Sequence, residues 1–363
     1  MIKVEQALIR PVYDDVLDVA TAALPWERLR NKTVLITGAA GFIGFYLTTA
    51  MLIRNDLYGD NINVIALVRN NKKCDARFGD LLMREDLTIV VQDVCDEIKV
   101  KQKADFIIHA ASQASAYFFE HDPIGTIDAN LTGTTRVLDY AERCKAESTL
   151  VISSLKVYGA LHNGKDSISE DDIGYIDQTN YKNCYAVGKR ASEALCACYC
   201  RQKGLSVKIA RPSYIYGPSS LDDDRVWAQF IANVVKGEDI LLKSNGAAMR
   251  SFCYVSDTAE ALFTILLCGA DVYPYNISSE YSNVTIRDFA KAAVETFPEK
   301  MMKLKFQNPE DEKEPQRSYL GTTPEILDNK RLKDLGWVGR TTLKDGIAKS
   351  VRIVSAQNGY NGV

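Results

Sequence analysis

Apolar residues recur at helical spacing near the start of the chain, where Ala7, Leu8, Val12, Val16, Leu17, Val19 and Ala20 precede Pro25. Spacings of three and four put such residues on one face, which predicts a single amphipathic helix over about 4–24 ahead of the first strand. From Lys32 the pattern changes to short apolar runs separated by longer helical ones. The runs at 33–37, 64–68, 87–91 and 105–109 read as strands, with a helix starting at about Phe42. A helix over about 123–144 leads into a strand at 149–153, a polar loop at 162–183, a helix carrying Tyr185, and a strand at 206–211. This alternation predicts an α/β fold, a doubly wound parallel sheet with helices on both faces. Beyond it the pattern is less regular, with Pro218-Ser219-Ser220, the acidic run Asp222-Asp223-Asp224 and a charged stretch at 308–317. There is no repeat and no low-complexity tether, so a second lobe is expected to interleave with the first.

Composition narrows the partners. The 363 residues are 46% hydrophobic and 25% charged, enough for a full core divided into two lobes. A net charge of −3 gives no overall basic field, so neither nucleic acid nor an anionic membrane is an expected partner. No stretch approaches ~18 consecutive apolar residues, and Ile2-Lys3-Val4-Glu5 is not a signal-peptide core; a cytoplasmic location is expected. Nine cysteines, an odd number, read as reduced thiols. In Cys196-Ala197-Cys198-Tyr199-Cys200, helical spacing separates Cys198 from the other two, and His109, His121 and His162 are dispersed. Packing is therefore the expected role of the cluster, and no metal is expected.

Candidate chemistry begins where the first strand ends. In Thr37-Gly38-Ala39-Ala40-Gly41-Phe42-Ile43-Gly44, three glycines at spacing three lead into a helix. Such a turn lets backbone amides and a helix N-terminus approach a pyrophosphate, which points to a dinucleotide. At the end of the second strand the carboxylate usual for NAD is replaced by Val68-Arg69-Asn70. Arg69, with Lys72 and Lys73, either meets a 2′-phosphate, tilting the cofactor from NAD towards NADP, or is a solvated cation. Asp93 either hydrogen-bonds adenine or caps a turn. Tyr185 and Lys189, four apart on a helix, share a face and form a candidate base and cation.

Gly38, Gly41, Gly44, Ser154, Tyr185 and Lys189, in that order, resemble the extended short-chain dehydrogenase/reductase family, in its nucleotide-sugar epimerase/dehydratase branch. The likeness covers roughly 31–350. It includes His109-Ala110-Ala111-Ser112, Asn130-Leu131-Thr132-Gly133-Thr134, Ser153-Ser154-Leu155-Lys156-Val157-Tyr158-Gly159, Arg250-Ser251-Phe252-Cys253-Tyr254-Val255 and Leu335-Gly336-Trp337. The resemblance implies a Rossmann domain over 31–212 with a return segment at about 252–278. A smaller interleaved α/β substrate-binding lobe would come from 213–251 and 279–355, and residues 1–30 would form the accessory helix. It also implies that Tyr185 takes a proton from a sugar hydroxyl as hydride leaves the same carbon. Lys189 would hold the nicotinamide ribose and depress the tyrosine pKa, and Ser154 would bind the reacting oxygen. Phe42, Ile43, Ala110, Ala111 and Ser112 would line the cofactor, and Asn130 would organise helix and sheet beside it. Arg250, and with it Arg317, would meet the nucleotide diphosphate. Arg225, in a segment that also resembles UDP-glucuronate decarboxylases, is either structural or near the nucleotide. The expected partner is a nucleotide-diphosphate sugar, and the expected assembly a homodimer through the Tyr185 helix and the one before it.

Two departures separate the candidate reactions. Leu155 and Lys156 stand where 4,6-dehydratases carry Asp and Glu, and leucine transfers no proton; Lys156 also replaces the glutamate of UDP-glucuronate decarboxylases. Lys156 either binds a carboxylate or phosphate, acts as an acid, or faces solvent. Tyr214 replaces an asparagine that contacts substrate in many relatives, and either takes over that contact or packs between the lobes. The expectation is an NAD(P)-dependent epimerase, with decarboxylase or dehydratase as the alternative, then a keto-sugar reductase; a non-enzymatic dinucleotide sensor is disfavoured by the intact tyrosine and lysine.

Overall fold

The computed structural model describes residues 2–162, 164–312 and 324–360. At the N-terminus, two helices, α1 (Val4–Ala7) and α2 (Arg10–Ala20), replace the single helix expected from the periodicity. Pro11 is the reason. It sits in the first turn of α2, where a missing N–H costs nothing, whereas a continuous helix would press its ring against the Ala7 carbonyl. The buried face of α2 carries Asp15, which accepts hydrogen bonds from Tyr46 Oη at 2.7 Å and Tyr254 Oη at 2.8 Å and lies 3.2 Å from Lys349 Nζ.

Next come β1 (Thr33–Thr37), α3 (Phe42–Tyr58), β2 (Asn63–Val68), α4 (Asn71–Phe78), β3 (Leu87–Val91) and β4 (Phe106–His109). The chain continues through α5 (Ala116–His121), α6 (Pro123–Cys144), β5 (Ser148–Ile152), α7 (Cys184–Lys203) and β6 (Val207–Pro212). It then leaves for β7 (Tyr214–Tyr216), α8 (Val226–Lys236), β8 (Ile240–Leu242) and β9 (Met249–Tyr254), and returns through α9 (Val255–Cys268) and β10 (Pro274–Ile277). The remaining elements are β11 (Asn283–Thr285), α10 (Ile286–Thr296), β12 (Leu304–Phe306), α11 (Lys330–Lys333) and α12 (Leu343–Asn358).

The main sheet has seven strands in the order β10-β6-β5-β4-β1-β2-β3, all parallel, the doubly wound Rossmann arrangement. Covered on both faces by helices, β1 and β5 are buried along their whole length, which is why their sequences are apolar without alternation. Strand order reverses between β1 and β4, and the carboxyl ends of those strands open the crevice where such sheets receive ligands. The smaller lobe holds the sheet β11-β9-β7 and the pair β12-β8. Strand β9 belongs to the sheet of that lobe, and the chain returns to the main sheet through α9 from Val255. No helix of the described residues is long and apolar enough to cross a membrane.

Candidate active site

The glycine turn is shaped by close backbone contacts. Gly38 has φ 68°, and a Cβ there would lie 2.9 Å from the backbone of Ala111. A Cβ on Gly44 would lie 2.3 Å from Gly38 O, and Gly41 is the N-cap residue immediately before α3. The turn and the open first amides of α3 thus face the crevice with no side chain between, a fit for a dinucleotide pyrophosphate. Two cavities of ≈ 370 Å3 each meet at this turn. One is lined by Gly38, Gly41, Arg69, Asp93, Ala110, Ala111 and Ser112; Lys73 borders both. The other reaches Phe42, Ile43, Gly44, Ser154, Lys156, Tyr185, Lys189, Tyr214 and Arg225.

Beneath the turn, His109 is clasped between Thr37 Oγ1 at 2.8 Å and Thr134 Oγ1 at 3.2 Å. Burial, helped by nearby Lys189, pushes the imidazole pKa down to about 3, so it stays neutral and serves as a fixed link between β1, β4 and α6. Ser112 Oγ donates to Asn130 Oδ1 at 3.0 Å, and Asn130 Nδ2 donates to Thr126 O at 2.7 Å. Asn130 lines neither cavity; it braces α6 at the point where Gly188 brings α7 close.

Ser154 lies two residues past the end of β5, and Tyr185 and Lys189 sit in the first turns of α7. Tyr185 is 9% exposed and stacks on Phe119, with ring centroids 5.0 Å apart. Burial raises its pKa, while a hydrogen bond with Ser154 and the positive charge of Lys156 partly oppose the rise. Lys189 is 4% exposed, and its Nζ donates to Ile152 O at 2.6 Å, 5.8 Å from the centre of the Tyr185 ring. Burial lowers its pKa to about 8. Here Lys156 is the cation that acts on Tyr185, and Lys189 is held on a backbone carbonyl of β5.

Leu155 packs with Val157, Tyr158, Leu161, Ile168 and Leu327 in a small satellite core, which fixes Lys156 on the cavity side. Lys156 Nζ donates to Tyr214 Oη at 2.8 Å and to Glu325 Oε1 at 2.9 Å. Tyr214 Oη donates to Glu325 Oε2 at 2.8 Å, and Arg250 Nη1 lies 3.0 Å from the same oxygen. Lys156 thus neither faces solvent alone nor stands as an unpaired cation. Burial disfavours its charge, but Tyr214 and Glu325 outweigh that and hold its pKa above the ordinary lysine value. Burial likewise works against the Glu325 carboxylate, and Lys156 and Arg250 overcome it, holding the pKa below the usual range. Sequence reasoning missed Glu325, which sits outside every motif and reaches the site through an isolated backbone bridge with Arg250.

The other expected contacts divide. Arg225 is paired with Asp223 and lies over Trp227, 4.5 Å from the ring centre, at the cavity wall. Arg250 lines neither cavity and reaches the site through Glu325. Arg69, exposed, and Asp93, half-buried, face each other at 3.9 Å, so a carboxylate from beyond β3 partly offsets the cation at the end of β2. Arg317 lies outside the described residues.

The sequence profile of the NAD dependent epimerase/dehydratase family matches residues 34–278, which span β1 to the end of β10. The chain belongs to this family. Its members are enzymes of the extended short-chain dehydrogenase/reductase type, and the chain is an enzyme of that type. UDP-glucuronic acid decarboxylase 3 of Arabidopsis thaliana is 31% identical over 324 residues, 87% of each chain. UDP-glucuronic acid decarboxylase 1 of Danio rerio is 29% identical over 328 residues, 90% of this chain and 73% of the other. Among solved structures, UDP-glucose 4-epimerase of Thermotoga maritima superposes with a TM-score of 0.73 at 21% identity, covering 90% and 99% of the two chains. A dTDP-glucose 4,6-dehydratase of Streptomyces venezuelae with NAD bound gives 0.71 at 22%, covering 90% and 98%. These structural likenesses establish the shared fold.

Proposed function

We propose that this family member is an NAD(P)-dependent epimerase of a nucleoside-diphosphate sugar, working through a transient keto sugar. The observation that carries the reading is the Lys156, Tyr214, Glu325 and Arg250 network. It pairs Lys156, Tyr214, Glu325 and Arg250 with one another, so none of them is left free as a second proton-transfer group beside the reacting centre. Tyr185 remains as the proton-transfer group of the cavity. In its ionised form, which the Ser154 hydrogen bond and the charge of Lys156 favour against burial, it takes the proton of a sugar hydroxyl; Ser154 hydrogen-bonds the reacting oxygen, and Lys189 orients the ribose of the cofactor. Bound NAD(P) supplies reversible hydride acceptance, and after the ring turns over Tyr185 returns the proton to the oxygen. The sheltered position of Tyr185 beneath Phe119 keeps water from the reacting carbon.

Arg69 favours NADP in this reading, tempered by Asp93. A homodimer is supported by the shallow groove between α6 and α7, bordered by Leu131, Ala194, Leu195 and Cys198. A second reading, decarboxylation of a nucleoside-diphosphate uronic acid, is favoured by the names of the curated relatives. Incubation with UDP-, dTDP-, CDP- and GDP-sugars, with products followed by NMR, decides between them. An epimer is expected; a pentose or a 6-deoxy-4-keto product refutes epimerisation. Tyr185→Phe is expected to slow turnover by about 10²–10⁴-fold with cofactor affinity retained, and unchanged turnover refutes its role.

A further inference from the structure

We propose that Glu325 sets the charge class of the sugar, holding the place between Lys156 and Arg250 that a substrate carboxylate would otherwise take, so that the site selects neutral sugars over uronic acids. The inference rests on the nucleotide-sugar reading of the cavity. Both carboxylate oxygens are engaged: Oε1 accepts from Lys156, and Oε2 accepts from Tyr214 and faces Arg250. Two cations and a phenol converging on one carboxylate make a carboxylate site, and the chain fills it from within. That corner belongs to the reacting centre, because Lys156 and Tyr214 line the cavity that holds Tyr185 and the charge of Lys156 is felt at the phenol.

Glu325 does not reach the corner by chance. Its backbone carbonyl accepts from Ser251 N at 2.9 Å, and Leu327 N donates to Ser251 Oγ at 3.1 Å. On the other side Ile168 N donates to Ile326 O at 2.7 Å. The short segment is thus held between the lobe sheet and the loop after β5. With Glu325 in place, Lys156, Arg250 and Glu325 sum to one positive charge, and a second carboxylate would have to crowd against the first.

The test uses the cofactor-loaded full chain. Among UDP, dTDP, CDP and GDP, the nucleotide that binds most tightly is used as its glucose and glucuronate conjugates, and both dissociation constants are measured by calorimetry. Wild type is expected to bind the glucose conjugate more tightly. Glu325→Gln is expected to move the ratio towards the glucuronate by about tenfold or more. Lys156→Met, which leaves Glu325 in place, is expected to move it the opposite way. A wild type that prefers the glucuronate, or a ratio unchanged in both variants, overturns the proposal. Binding of either conjugate with no turnover refutes the epimerase reading while leaving the charge rule to stand or fall on the ratio; binding of neither overturns both.

Discussion

Replacing Lys189 by methionine is expected to make the cofactor-free protein more stable while destroying its activity. Lys189 is 4% exposed, burial outweighs the nearby Glu193 carboxylate, and its pKa falls from 10.5 to about 8. At about 1.4 kcal/mol per pKa unit, holding the charged form inside costs the folded chain about 3 kcal/mol at neutral pH. Methionine fills similar volume and removes that cost, but leaves Ile152 O without its donor, at about 1–2 kcal/mol. The net expectation is a gain of about 1–2 kcal/mol at pH 7, seen as a higher urea midpoint. The sign with pH is fixed. Between about pH 8 and 10.5 the unfolded chain still binds the lysine proton and the folded chain has released it, so wild-type stability gains relative to the variant as pH rises. The two curves should cross in that window, with the variant less stable above it. Paired melts across pH 6.5–10.5 test this; a variant less stable at pH 7, with a gap that does not change with pH, would refute the account of the buried charge.

Three further outcomes follow from the geometry. Gly44→Ala places a methyl 2.3 Å from Gly38 O, so the turn must shift, and cofactor affinity should fall by about tenfold or more; NADH and NADPH fluorescence titrations check it, and wild-type affinity counts against the turn as the cofactor cradle. Asp15→Ala strips the acceptor from Tyr46, Tyr254 and Lys349 inside the N-terminal packing, and should cost about 3–5 kcal/mol in urea unfolding. Arg69→Glu should shift preference from NADPH towards NADH by about tenfold, read as the ratio of the two dissociation constants; an unmoved ratio means that Arg69 is only a solvated cation.

The parallel strands were legible because burial on both faces erases alternation, leaving short apolar runs bounded by turns, as in β1 and β5. Helix α6 runs over the expected span because Asp122 and Pro123 mark its start as clearly as periodicity marks its body. The N-terminal break was written in Pro11, yet an apolar period continuing past it outweighed a single residue. The site divides the same way. Gly38, Gly41 and Gly44 announce themselves by local spacing, and Tyr185 and Lys189 by one helical turn. The partner of Lys156 lies 169 residues away with no pattern around it, so only the folded chain could reveal that the lysine standing in for a carboxylate has found one elsewhere. Nor does spacing disclose that Lys189 spends its charge on a carbonyl of β5.

The excursion from β6 through the small lobe and back to β10 carries a consequence for biogenesis. Strand β10 pairs with β6 and closes that side of the main sheet, so this edge stays open until some sixty further residues have been made. The main sheet therefore cannot finish before the segment from β7 to α9 has been made. A fragment ending near residue 212 would expose the β6 backbone to intermolecular pairing, and neither lobe is a self-sufficient unit for truncation or transplantation. Holding the two lobes together is thus a property of the chain path itself, settled during synthesis.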